Sequence, residues 1–304
     1  MPAEGLDWLP DERVLTDDEV VRLIGVAAGH LGVREVRFTG GEPLVRRGLV
    51  DIVRRTRAIS EEVGADLELS ITTNALGLAR NASALAAAGL DRVNVSLDSI
   101  RPETFATITR RDRLHDVLAG LEAAAAAGLG PVKINAVLLR DINDDQAPEL
   151  LEWSITHGYE LRFIEQMPLD AQHGWSRDRM VTAEETLTRL RKEFALEPAE
   201  EPRGSAPAEL FAVDGGPATV GIIASVTRPF CGDCDRVRLT ADGQVRDCLF
   251  ARTESDLRTP LRDGASDDEL AERWITAMAG KRAGHGIDDA TFLQPDRPMS
   301  AIGG

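Results

Sequence analysis

Cysteine is nearly absent from this sequence: 304 residues hold three, Cys231, Cys234 and Cys248, all inside the stretch FCGDCDRVRLTADGQVRDCLF at residues 230–250. An odd, tightly spaced set excludes the paired-cysteine framework of a small secreted domain. Lysine is as rare, with Lys133, Lys192 and Lys281 among 35 basic residues, so each one merits attention in a chain that otherwise uses arginine. Positive charge is outweighed by 51 acidic residues, for a net charge of −16. That balance excludes non-specific nucleic-acid or anionic-membrane binding, and any anionic ligand needs a local cluster of cations. No apolar run approaches the roughly 18 residues of a membrane span. MPAEGLDWLP lacks the basic and apolar regions of a signal peptide. The expectation is a cytoplasmic protein without a nucleic-acid or membrane partner, whose reduced thiols bind metal.

What the sequence does contain is alternation. Short β-rich runs at residues 33–38, 67–73, 92–97, 131–139 and 160–167 are separated by helical stretches near 16–30, 47–63, 79–88, 114–127 and 144–157. The pattern predicts βα units and a parallel sheet, barrel-like or doubly wound. Polar residues recur toward the C-terminal ends of these runs: Arg37 and Thr39, Thr72 and Asn74, Ser96 and Asp98, Lys133 and Asn135, Glu165 and Gln166. In a β/α barrel that rim carries the active site; any single such residue is also explained by strand ends being wetter than strand middles. Past residue 168 the character changes. A helix over 181–194 with a Thr182 cap and Glu185 three residues on, an exposed loop over 198–217, short antiparallel strands including ATVGIIASV, and a helix over 267–282 are expected. This divides the chain into a barrel-like part, 1–168, and a C-terminal extension, 169–304.

Cys231 and Cys234 form a C-x2-C turn, and the Asp242-Gly243 hairpin signal brings Cys248 back beside them. Spacing does not choose the metal. Zinc with His285 as fourth ligand is the commoner site, whereas an iron–sulfur cubane on three thiolates leaves one iron open. Arg236 and Arg238 alternate beside the cysteines, so both leave one face of the strand, as ligand contacts or as solvated edge cations.

VRFTGGEPLVRR, ITTNA, VNVSLDS, VKINAVLL, RFIEQMPL, the cysteine segment and the Gly-Gly end together resemble, over essentially the whole chain, the GTP 3',8-cyclase family of radical S-adenosylmethionine enzymes in molybdenum cofactor biosynthesis. The resemblance implies an α/β fold, an incomplete (β/α) barrel of radical SAM type with an α+β C-terminal extension. It implies that Gly41, Ser96 and Met167 contact S-adenosylmethionine, and that Arg37, Thr72, Lys133, Arg236, Val237 and Arg238 contact GTP. Cys231, Cys234 and Cys248 then hold a [4Fe–4S] cluster whose open iron receives the guanine base, and zinc with His285 gives way. A homodimer and the pathway partner cyclic pyranopterin monophosphate synthase are the remaining expectations about partners.

The family also carries C-x3-C-x2-C for a second [4Fe–4S] cluster, directly before a stretch like MPAEG, and these residues do not contain it. The expectation is that a full-length form begins upstream, that the first barrel strand lies there, and that the present chain is inactive alone. The alternative is a non-catalytic short form that binds GTP or metal; a zinc-dependent barrel hydrolase is weaker, because the candidate ligands lie outside the barrel strands.

Overall fold

The computed structural model describes residues 9–170, 173–200, 202–289 and 291–302. The opening MPAEG and the final Gly303-Gly304 lie outside the described residues. Five βα units lead: β1 (Glu35–Phe38), α2 (Leu49–Glu62), β2 (Glu68–Thr73), α3 (Leu78–Ala87), β3 (Arg92–Ser96), α4 (Pro102–Thr109), α5 (Leu114–Ala126), β4 (Lys133–Val137), α6 (Ala147–Thr156) and β5 (Glu160–Ile164), preceded by α1 (Asp17–His30). Then come α7 (Ala183–Leu190), β6 (Leu196–Pro198), β7 (Glu209–Val213) and β8 (Thr219–Ile223). The chain ends with β9 (Arg238–Leu239), β10 (Gln244–Arg246), β11 (Ser255–Asp256), α8 (Arg258–Arg262), α9 (Asp267–Ala279) and α10 (Met299–Ile302).

One sheet runs β1-β2-β3-β4-β5-β8-β7-β6. β1 to β5 and β8 are parallel, and β7 and β6 close it antiparallel. Residues on both sides of position 168 therefore share this sheet. Two expectations are corrected here. The run ATVGIIASV is parallel to β5 rather than purely antiparallel, because it returns to the barrel edge; and the loop expected over 198–217 contains β7, whose Phe211 and Val213 are buried. Helix α4, absent from the sequence reading, starts at Pro102, whose fixed φ suits the first helical turn.

The faces of the sheet differ sharply. Leu69, Ile71, Val93, Val95, Ile134, Ala136, Leu161, Phe163, Val220 and Ile222 form one face and merge with Leu85, Leu121, Leu151 and Leu187 of the helices into the main core. The alternate residues, on the other face, are largely polar. That is an open β/α barrel wall with helices on one side only.

A second core joins α1, through Leu23, Val26 and Ala27, to Val245, Leu257, Leu270 and Trp274 of the C-terminal extension. Here β9, β10 and β11 make a small antiparallel sheet. The last described segment packs back on the start of the extension and on its small sheet. Gln294 Nε2 donates to the Asp170 carbonyl at 2.8 Å, while Arg297 donates to Asp242 at 3.0 Å and to Glu254 at 3.0 Å.

Glu165, just past β5, is a buried carboxylate that accepts from Ala183 N at 2.7 Å, Val226 N at 2.9 Å, Thr227 N at 2.8 Å and Thr227 Oγ1 at 2.5 Å. It holds the start of α7 and the loop after β8 against the barrel rim. Glu165→Ala is expected to strand those buried N–H groups and destabilise the fold by at least about 2 kcal/mol. Chemical denaturation measures this, and a change below about 0.5 kcal/mol would contradict the clamp.

Candidate substrate and metal site

Parallel pairing sets partner residues on the same side of the sheet. On the polar face Arg37 stands opposite Ser70 and Ser70 opposite Arg92. Thr72 is opposite Asn94, Asn94 opposite Lys133, and Lys133 opposite Glu160. Nearer the C-terminal end, Ser96 pairs with Asn135 and Asn135 with Arg162. Arg162 faces Gly221, where a side chain would come within 3.0 Å of the arginine stem, so the glycine leaves room for Arg162 to lie along the sheet.

Four cations thus share the face with three carboxylates. Arg37 pairs with Glu35 at 2.7 Å, Arg92 with Glu35 at 2.8 Å and also with Glu68, and Lys133 with Glu160 at 3.6 Å. Burial, together with the Arg162 and Arg92 charges, pushes the Lys133 ammonium below its usual range; burial likewise lowers Arg162. Arg92 Nη1 and Arg162 Nε are buried with no hydrogen-bond partner. Buried guanidinium donors rarely go unpaired without a reason, and an anionic ligand on this face is one. Of the residues on this face, the sequence singled out Arg37, Thr72 and Lys133 and not Arg92 or Arg162. The signal for them was the period-2 series Arg92-Asn94-Ser96 and Glu160-Arg162.

The rim above this face is built by short loops. After β1, Gly40 adopts φ 133°, and a side chain there would meet no atom within 4 Å. Gly41 beside it is exposed. Glu42 bolts the loop to the end of β2, accepting from Leu44 N at 3.0 Å, Thr73 Oγ1 at 2.7 Å and Asn74 N at 2.8 Å. Ser96 ends β3 exposed, and Met167 follows β5, half-buried against Met180, Val226 and Ile287. Gly41, Ser96 and Met167 therefore stand at the C-terminal ends of β1, β3 and β5. Between them Asp98 accepts from Val137 N at 2.8 Å, and burial pushes its carboxyl up to about 6.

The three thiols flank the small sheet, Cys231 and Cys234 before β9 and Cys248 after β10. Cys231 opens a 3-10 turn, and Cys234 N donates to its carbonyl at 3.3 Å. The hairpin turns at Gly243, φ 77°, pairing Arg238 with Arg246. None of the cysteines is disulfide-bonded. Two sulfurs accept from a nearby donor: Cys234 from Arg236 Nη2 at 3.2 Å and Cys248 from Phe250 N at 3.4 Å. Burial pushes Cys231 up. At Cys234 burial is outweighed by the Arg236 N–H and guanidinium, with Lys281 behind them, and the thiol is lowered. Arg236 also lies over the Phe230 ring at 4.9 Å. Val237 packs into the second core, so its side chain faces away from the thiols. Burial and Arg236 lower Arg238 to about 10, which leaves it charged at neutral pH.

Zinc does not fit. Among the described residues no group of three or more His, Cys, Asp or Glu is spaced to hold one ion, as ligands at about 2.3 Å from a single centre require. His285 is occupied by its ring bonds to the Ser225 carbonyl at 2.9 Å and from Ile287 N at 3.2 Å. A cubane, whose thiolates bind separate irons and accept N–H···S bonds, matches this donor set.

Comparisons with known proteins identify the family. Residues 5–154 match the Radical SAM superfamily model, and residues 159–287 match the Molybdenum Cofactor Synthesis C model. The GTP 3',8-cyclase of Streptomyces coelicolor is 64% identical over 306 residues, spanning 100% of this chain and 88% of that protein. The GTP 3',8-cyclase of Mycobacterium sp. (strain KMS) is 61% identical over 100% of this chain and 86% of that protein. The enzyme of the same name from Paenarthrobacter nicotinovorans is 56% identical over 100% and 89%. A radical SAM methyltransferase from Sphaerobacter thermophilus overlays with a TM-score of 0.47 at 18% identity, over 68% of this chain and 58% of that one. No helix among the described residues is long and apolar enough to cross a membrane. The barrel wall, the thiol hairpin and the full-length identities together establish that the chain belongs to the GTP 3',8-cyclase family of the radical SAM superfamily.

Proposed function

We propose that this chain binds GTP between the polar barrel face and the cysteine hairpin and serves the GTP 3',8-cyclase reaction, which joins C3' of the ribose to C8 of the guanine. The observation that carries this reading is a sheet face with two unpaired buried guanidinium donors together with a hairpin that presents three thiols and two arginines. Arg37, Lys133 and Arg162 bind the triphosphate, since arginine forks grip phosphate bidentately and lysine acts as a point charge. The partial burial of Lys133 and Arg162 raises the strength of their contacts relative to water. Arg236 and Arg238 orient the nucleotide from the hairpin side.

Cys231, Cys234 and Cys248 would hold a [4Fe–4S] cluster; the family's other cluster uses a C-x3-C-x2-C set that these residues do not contain. Gly41, with the open backbone at Gly40, and Ser96 and Met167 would hold S-adenosylmethionine at the rim. When bound, S-adenosylmethionine would supply the radical that activates the ribose only on receiving one electron from a reduced cluster held by the family's C-x3-C-x2-C set. The chain's own residues orient the two ligands and exclude water from the space between them.

Equilibrium dialysis of the anaerobically reconstituted protein tests the reading. GTP is expected to bind at least about ten-fold more tightly than guanosine, because one charge-assisted contact contributes about 1.5–3 kcal/mol. Equal affinities would overturn it.

A further inference from the structure

Lys281 follows the end of α9, and its ammonium reaches under the cysteine hairpin. Nζ donates to the Arg236 carbonyl at 2.5 Å and to the Asp247 carbonyl at 2.8 Å. One acceptor lies two residues past Cys234, and the other immediately precedes Cys248. The lysine therefore joins the two backbone segments that carry these thiols and places its ammonium beside them. The neighbouring helix contributes Leu270, Ala271 and Trp274 to the second core. An ammonium carries three donors on one atom and can bond both carbonyls at once, which suits it to bridge the two segments. Lysine occurs three times in this sequence, and this one spans the hairpin.

We infer that Lys281 is a positioning residue for the iron–sulfur cluster: it fixes the spacing of the Cys234 and Cys248 segments and sets one positive charge beside the sulfurs. The inference rests on the cluster assignment of Cys231, Cys234 and Cys248 made above. A clamp of this kind acts through the ligands, as outer partners of metal sites do, and its loss costs about 10–100-fold in metal retention. A fixed positive charge favours the reduced, more negative cluster, so its removal makes reduction harder.

The test uses the 304-residue protein reconstituted with iron and sulfide, with Lys281→Met, Lys281→Gln and Lys281→Arg beside it. Iron release to a chelator and the cluster's reduction potential are measured. Lys281→Met is expected to release iron about 10–100-fold faster and to have a more negative potential. Lys281→Gln, which can still donate to a carbonyl, is expected to recover part of the retention but none of the potential, and Lys281→Arg to recover the potential. Apo-protein melting checks the fold of each variant, and the Gln and Arg forms carry the test if the Met form does not fold. Wild-type retention and potential in the uncharged variants would overturn the inference, as would equal shifts in the Gln and Arg forms. A wild-type protein that takes up no iron would instead overturn the cluster assignment itself.

Discussion

Cys248→Ser is expected to take the protein from about four irons per chain to background after anaerobic reconstitution. The sequence has three thiols and all of them are in one place, so no spare cysteine can substitute. Serine preserves the size and loses the soft ligand that iron–sulfur chemistry selects. Cys231→Ser is expected to behave the same way, since each thiolate binds its own iron and two cannot retain a cubane. The fold should survive both changes, because the cysteines are only half-buried and the donor to Cys248, Phe250 N, can bond a hydroxyl instead. Iron and sulfide analysis with the visible absorption spectrum reads the outcome. Stoichiometric zinc without iron uptake in the wild type would contradict the assignment.

Arg238→Ala is expected to weaken GTP binding about ten- to a hundred-fold, from one charge-assisted contact at about 1.5–3 kcal/mol and about 1.4 kcal/mol per decade. A chain at −16 repels GTP at long range, so the affinity must come from local cations. Arg238 is already largely desolvated, beside Arg236 and opposite Arg246 on the paired strand. Melting of the unliganded variant shows separately whether Arg238 also supports the fold. A loss of GTP affinity without a loss of melting temperature separates a binding role from a structural one. Arg238→Lys should recover only part of the affinity, because an ammonium cannot grip phosphate bidentately. Unchanged GTP affinity in Arg238→Ala would remove this residue from the site.

The βα rhythm was legible because half the positions in each strand are apolar and meet the helices, and Lys133 stood out as a charge inside an apolar run. Helix α4 was not, since RPETFATIT is short and its single buried residue, Phe105, gives little periodicity. Arg92 and Arg162 looked ordinary because their meaning lies in register: Arg92 beside Ser70, Arg162 beside Asn135, and neither pairing can be read along the chain. Glu165 was visible as a polar strand end, but its partners arrive from residues 183, 226 and 227. The rarity of Lys281 was plain, whereas its two acceptors are backbone carbonyls that only the folded hairpin brings together. The hairpin itself was announced by Asp242-Gly243, where positive φ favours glycine.

Electron–nuclear double resonance of the reduced, reconstituted protein with GTP of natural and 15N-labelled guanine addresses the heart of the proposal: that three thiolates leave one iron open to the substrate between the hairpin and the cationic face. The expected result is nitrogen hyperfine coupling that appears with GTP and changes with the label. Arg238→Ala should show the same coupling only at correspondingly higher GTP concentration. A cluster spectrum indifferent to GTP at concentrations where GTP is demonstrably bound would contradict the placement of the guanine at the iron.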